Sequence, residues 1–432
     1  MRRPRQPGTR DHRSSSRAVS QPIAQPGALD RSGLRRVLWI FSVTQITSWG
    51  VLYYAFAVLF QPMAVDTGWS PVFLTAAFSS GLVVSGACGI FVGRRLDSHG
   101  PRTIMTIGSV VGVVALLLVA TASTRPMFAI AWVLAGAAMS AVLYPPAFAA
   151  LTRWGGSRRL GALTALTLVA GFASTVFAPL AAWLESSMGW RSTYLVLAVV
   201  LGVITIPLHW WGLNQSWEPV SHRESEDVGD ARSTIRTAPF VVLAVAMTIG
   251  AFVVYGAVIN LVPILVEQGL TTRQAAIALG VGGAGQVAGR LGYGRLNRWS
   301  SAAGRASFVL GLAAASTVFL AVSASTFVLA LLGSAIAGVA RGLLTLIQAT
   351  AVTDRWGIVH FGRLNGILLA PVTLAAALAP FGGAALAEVS GGFREAFVIL
   401  AAVCAVAAAL ALRTGVTKNA PRGAGRPSTD FR

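Results

Sequence analysis

The segment Gly93-Arg-Arg-Leu-Asp-Ser-His-Gly-Pro-Arg102 (GRRLDSHGPR) is a charged island in an apolar region. Pro71 to Gly93 lead into it and Thr103 to Ala122 lead out. Each flank is long enough to cross a hydrocarbon layer, which takes about 20 apolar residues for ~30 Å. A basic turn between two such stretches is the pattern of a membrane hairpin whose polar end stays in water.

Working outward, the whole chain has this texture. It has 432 residues, 55% hydrophobic and 11% charged, with a mean hydropathy of +0.68. A soluble chain carries about 25% charged residues, so composition alone excludes an ordinary soluble domain. Apolar stretches lie at Arg36 to Phe60, Pro71 to Gly93, Thr103 to Ala122, Met127 to Leu151, Gly161 to Leu184 and Arg191 to Trp211. Six more lie at Ala238 to Val266, Thr272 to Gly294, Gly304 to Val322, Thr326 to Thr350, Leu364 to Val389 and Phe393 to Leu412. The expectation is an all-α membrane protein with twelve transmembrane helices in two six-helix bundles. The bundles should span residues 35–212 and 238–413, with a cytoplasmic linker at 213–237 and cytoplasmic tails at 1–34 and 414–432. Residues 1–34 are rich in Arg, Ser and Pro and read as a disordered tail without the apolar core of a signal peptide.

The net charge of +19 invites a nucleic-acid reading, but the basic residues sit in short segments between spans. Of 34 Lys and Arg, 28 fall on the face that carries both termini, and four (Arg125, Arg191, Arg273 and Arg394) fall on the other. That asymmetry predicts cytoplasmic termini in an inner (plasma) membrane and makes the lipid surface, not nucleic acid, the partner of the charge. Cys88 and Cys404 both lie in apolar stretches. They suggest neither a disulfide framework nor a metal site, and no cofactor is expected.

The halves echo each other at an offset of 201 to 203 residues. Arg153-Trp154-Gly155 returns as Arg355-Trp356-Gly357, and Gly161 with Pro179 returns as Gly362 with Pro380. Gly189-Trp190-Arg191 returns as Gly392-Phe393-Arg394. Repeats related by an axis along the membrane normal place a substrate site between them, near mid-membrane, reached alternately from each side. The chain therefore reads as a transporter.

GRRLDSHGPR resembles the major facilitator superfamily signature G-x-x-x-D-x-x-G-x-R, matched at Gly93, Asp97, Gly100 and Arg102. Ser98 stands where the family usually has a basic residue. The resemblance implies a gating latch that closes the cytoplasmic side. Gly93 would allow close helix approach, Gly100 the tight turn, and Asp97 a carboxylate for a neighbouring helix N-terminus or arginine. The second-half counterpart, Gly294 to Arg298, lacks the acid. Within the superfamily the chain looks similar to the monocarboxylate and oxalate/formate porters. TSWGVLYYAF (Thr47 to Phe56) is similar to their tryptophan-glycine element, and Arg158-Arg159 to their basic pair. QVAGRLGYG places Arg290 and Gly294 in their D-x-x-x-R-x-x-x-G arrangement. In that family the arginine holds the substrate carboxylate and the aspartate couples protons. Gln286 occupies the aspartate position here, so only the arginine role carries over.

Arg290 and Arg341 are the charges that fall within spans; all 15 acids lie in tails, connections or span ends. A charge in hydrocarbon costs several kcal/mol unless it meets a partner or a cavity. Two cations without an acid point to an anionic substrate, since the guanidinium fork suits carboxylates. Snorkelling to the cytoplasmic surface is the bland alternative. The rest of the expected site is Gln286, Trp49, Tyr53, Tyr54, Tyr144 and Gln348, with Gln45 and Tyr255 as further candidates. Without a buried acid, the expectation is an exchanged anion, or a proton carried by the substrate or by a span-end residue, with Asp66, Glu267 and Glu388 as the candidates. A drug exporter of the same superfamily is the nearest rival and a transporter-like receptor a remote one. An intramembrane enzyme lacks its paired aspartates, HExxH or Ser-His pair.

Overall fold

The computed structural model describes residues 29–217, 233–323, 326–356 and 361–415. The side chains of Asp97, Ser157, Leu160 and residues 361–363 lie outside that description, as do the tails, most of the 213–237 linker and Gly357. Among the described residues there is helix and turn and no strand.

Span 1 comprises Arg31–Trp49 and Ala55–Thr67, joined by a π-helical turn, Gly50–Tyr54. Span 2 is Pro71–His99 and span 3 is Pro101–Thr121. Span 4 is broken into Arg125–Val142 and Tyr144–Gly155. Arg159–Ala170 and Ala173–Gly212 form spans 5 and 6, which Gly189 divides with φ 75° and ψ 165°. Span 7 is Ala238–Ile259 with Leu261–Glu267, span 8 Thr272–Trp299, and span 9 Ala302–Ser323. Spans 10, 11 and 12 are Phe327–Thr350, Phe361–Ser390 and Phe393–Leu412.

Ten helical stretches among the described residues are long and apolar enough to cross a membrane. One of them, Gly161–Gly212, is 52 residues long and contains the Gly189 break, so it makes two crossings. The other addition is span 8, whose Arg273, Arg290, Arg295 and Arg298 depress its hydropathy although its 28 residues are long enough. Twelve helices follow. Their ends overrun the apolar stretches by several residues, because helices continue into the polar boundary where water can serve their last carbonyls.

Prolines shape span 4. Pro145 and Pro146 carry no N–H, so the carbonyls of Ala141 and Val142 lose their helical partners. Gln45 of span 1, fully buried, donates its Nε2 to the Val142 carbonyl at 2.7 Å. It ties span 1 to the break.

At the face opposite the termini, the two halves use one device. Asp66, at the end of span 1, accepts from Trp190 Nε1 and Arg191 Nη1 at 3.0 Å each, at the start of span 6. Glu267, at the end of span 7, accepts from the backbone N–H groups of Phe393 (2.9 Å) and Arg394 (3.3 Å), at the start of span 12. Four N–H groups at each helix start lack intrahelical partners, and Glu267 supplies two of them. Two of the three acids expected as proton-relay candidates, Asp66 and Glu267, are thus engaged in holding helix ends.

The packing differs between the two membrane halves. Away from the termini, one continuous apolar core joins both bundles, from Leu59 and Phe78 through Phe177 to Val262, Leu265 and Ala384. Toward the termini it divides into two. One part holds Val37, Phe41, Leu151 and Leu166 of the first bundle, and the other Leu243, Leu310, Leu344 and Leu368 of the second. A cleft of about 380 Å³ separates span 2 (Leu82, Gly86) from span 11 (Gly366, Ala370) in that region. The bundles therefore meet tightly on one side and part on the side of the termini.

Candidate functional site

Spans 8 and 10 are the scaffold of the site. Gly282, Gly285 and Gly289 on span 8 face the carbonyls of Ser334, Ala335 and Val339 on span 10. Gly338 and Gly342 in return face the carbonyls of Gly282 and Gln286, which an added methyl would overlap. Helices approach this closely only where the side chain is a hydrogen. The contact places Gln286, Arg290 and Arg341 together, with Arg341 Nε donating to Gln286 Oε1 at 3.0 Å. Exposures are 7% for Gln286, 7% for Arg290 and 4% for Arg341, so neither arginine snorkels to water.

These three line a cavity of about 110 Å³ between the halves, together with Trp49, Tyr53, Tyr54 and Tyr144 of the first half. Tyr255, Thr345, Ala170 and Val258 complete its wall. Gly50 makes the ring side possible, because a methyl there would overlap the Phe177 ring of span 5. The rings pack edge to face or tilted: Trp49 to Tyr53 at 5.4 Å, Trp49 to Tyr144 at 5.1 Å and Tyr53 to Tyr54 at 5.2 Å.

Hydrogen-bond accounting shows what the cavity lacks. Arg290 Nη1 donates to the Thr167 carbonyl of span 5, which also accepts from Gly171 N. Arg290 Nε, Arg341 Nη2, Trp49 Nε1 and the Tyr53 hydroxyl have no partner. Buried donors are nearly always paired, and four orphans around one cavity, two on guanidinium groups, describe a receptor for acceptor atoms. None of the residues lining it is acidic.

Seven of the eight expected substrate-binding residues meet here. Gln348 does not: two helical turns beyond Arg341, about 10 Å along the axis, it is absent from the wall, its Nε2 buried and unpaired. Thr345, one turn after Arg341, was missed, since a lone hydroxyl in an apolar helix carries no signal; it donates to the Arg341 carbonyl at 2.9 Å. The span 8–10 glycine seam was legible in principle, as small residues at spacings of three and four. The gating motif is in place in part. Gly100 adopts φ 76° and turns span 2 into span 3. Gly93 has nothing within 4 Å of an added methyl, so the expected close approach does not occur in this conformation. Arg102 stays within its own bundle, donating to Trp210 O (2.7 Å) and Asn214 Oδ1 (2.9 Å) and stacking 4.3 Å over the Trp210 ring.

Residues 38–326 match the family profile of the Major Facilitator Superfamily. The chain belongs to that superfamily. It is a multi-pass membrane transport protein, not an enzyme, and a small molecule is its substrate. Among curated superfamily relatives, the chain is 25% identical to Monocarboxylate transporter 13 of Rattus norvegicus over 381 residues, covering 83% of this chain and 82% of the relative. To Monocarboxylate transporter 13 of Bos taurus it is 27% identical over 259 residues, 58% of this chain and 57% of the relative. The fold is shared with a bacterial homolog of the human lysosomal transporter Spinster in an inward-facing, occupied conformation (TM-score 0.68, 15% identity, covering 88% of this chain and 96% of that one). It is shared equally with the nucleoside transporter NupG (TM-score 0.69, 15% identity, 88% and 98%).

Proposed function

We propose that this transporter moves a small organic anion, a carboxylate, across the inner membrane by alternating access, as a secondary active carrier. The observation that carries the reading is the pair of buried guanidinium groups, each with an unpaired N–H, in a cavity with no lining acid. Burying a charge without a partner costs several kcal/mol, and a bound carboxylate supplies the partner. The names of the curated relatives agree with a carboxylate.

Positive charge concentrated on the face of the termini supports placing that face in the cytoplasm. With that orientation, the divided core and the span 2–11 cleft describe a cavity facing inward. On the same half, Gly86, Gly89 and Gly93 of span 2, Gly366 of span 11 and Gly292 and Gly294 of span 8 face open space. Glycines there suit a second state in which those helix ends close on one another, the state that Asp97 would latch. The engaged roles of Asp66 and Glu267 favour exchange against a second anion over a proton relay through either.

The test is counterflow of labelled carboxylates in proteoliposomes with Arg290→Ala and Arg290→Lys. A charge-assisted bidentate contact is worth about 1.5–3 kcal/mol, so the alanine variant should bind ~10- to 100-fold more weakly, and lysine should fall between. Unchanged affinity in a folded Arg290→Ala protein would remove the anion reading.

A further inference from the structure

The cavity has two unlike walls. Span 8 and span 10 contribute the two guanidiniums, while spans 1 and 4 contribute Trp49, Tyr53, Tyr54 and Tyr144. Those rings are mutually packed edge to face or tilted, so their orientations are fixed by one another before any ligand arrives. A short aliphatic acid would satisfy an arginine and leave the ring wall facing water. Pre-set ring edges and faces are the arrangement that receives another ring, in offset or T-shaped contact.

Resting on the carboxylate reading above, we infer that the substrate of this cavity is an aromatic carboxylate, its acid group on Arg290 and its ring against Trp49, Tyr53 and Tyr144. Trp49 Nε1 and the Tyr53 hydroxyl are unpaired donors on the ring wall. They fit an oxygen substituent on the ring at the end remote from the carboxylate. The halves then contribute unequally: the second half supplies the charge and one ring, Tyr255, and the first half the other four rings. A ligand with both parts engages the arginines of the second bundle and the four rings of the first together.

The experiment is equilibrium binding to the full chain in detergent or nanodiscs with four probes: 4-hydroxybenzoate, cyclohexanecarboxylate, acetate and the uncharged 4-hydroxybenzamide. The aromatic acid should bind at least about tenfold more tightly than cyclohexanecarboxylate or acetate, the equivalent of one to two aromatic contacts, and the amide at least tenfold more weakly than the acid. Trp49→Phe should retain most of the preference for the aromatic acid over cyclohexanecarboxylate, and Trp49→Leu should lower that ratio at least fivefold. Equal binding of the three acids would overturn the ring assignment while leaving the anion reading standing. Equal binding of amide and acid, with Arg290→Ala silent, would overturn the anion reading and keep the ring. Binding of none of the four would overturn both.

Discussion

In the first half of the molecule Asp66 closes span 1 onto Trp190 and Arg191; in the second, Glu267, 201 residues later, closes span 7 onto Phe393 and Arg394. At mid-membrane the correspondence ends. The positions 202 residues before Arg290 and Arg341 are Cys88 and Met139, so the first half has no charge where the second has two. Tyr53 alone keeps a ring partner, Tyr255, at the same offset. The corners that hold the fold are duplicated, whereas the middles that line the cavity have diverged. A repeat constrains packing wherever both copies must solve one problem, and a single asymmetric ligand gives the two copies different problems.

The comparison can be broken most severely at the second-half scaffold. Gly338→Leu would drive a side chain into the Gly282 carbonyl and separate span 8 from span 10. Overpacking costs about 1–3 kcal/mol and occasionally more, and here it also parts Gln286 from Arg341. Loss of substrate binding together with a lowered unfolding temperature is expected. Intact binding would mean the glycine seam does not position the arginines.

The first half has its own vulnerable point at Gln45. Gln45→Leu leaves the Val142 carbonyl unpaired inside the bundle, at a cost of about 1–3 kcal/mol. Denaturation of the detergent-solubilised protein should register it, while Arg290-dependent anion selectivity persists.

A finer distinction lies between the corner acids. Glu267→Gln weakens two bonds to backbone N–H groups and should cost about 1–2 kcal/mol. Asp66 pairs with Arg191 at side-chain exposures of 56% and 40%, so Asp66→Asn should cost under about 1 kcal/mol and less still at high salt. Equal costs, or proton coupling abolished by either variant, would assign the acids to transport instead.

The smallest structural effect with a kinetic readout belongs to the gating motif. Asp97→Asn removes the acid from the first-half loop, as its second-half counterpart already lacks one. Turnover should slow while affinity stays within a few-fold; a large affinity loss at unchanged turnover would move Asp97 into the binding site.

Hydropathy made eleven of the spans plain, and span 8 was readable despite its arginines because glycine and alanine fill its buried face. The pairing of Arg290, Arg341 and Gln286 was only half legible: charge in an apolar run flags a site, but which helix faces which is decided by packing. Gln348 illustrates the limit, since polarity marks a residue without saying at what depth it sits. Asp66 and Glu267 were legible as acids near span ends, but their partners were not, because a helix N-terminus 124 to 127 residues away leaves no local trace. The π-helical turn was invisible, as it changes neither composition nor length enough to show.

That turn, Gly50–Tyr54, follows Trp49 directly and holds Tyr53 and Tyr54. A π turn carries one residue more than the α turn it replaces, and such turns are frequent at functional sites. Each residue advances a helix by about 100°. Removing a single residue there would restore ordinary winding and swing three cavity rings relative to Ala55–Thr67 without altering any side chain. Substrate preference in this transporter can thus be rewritten by a one-codon deletion as readily as by substitution, a route along which related carriers could have parted in specificity while keeping the same aromatic residues.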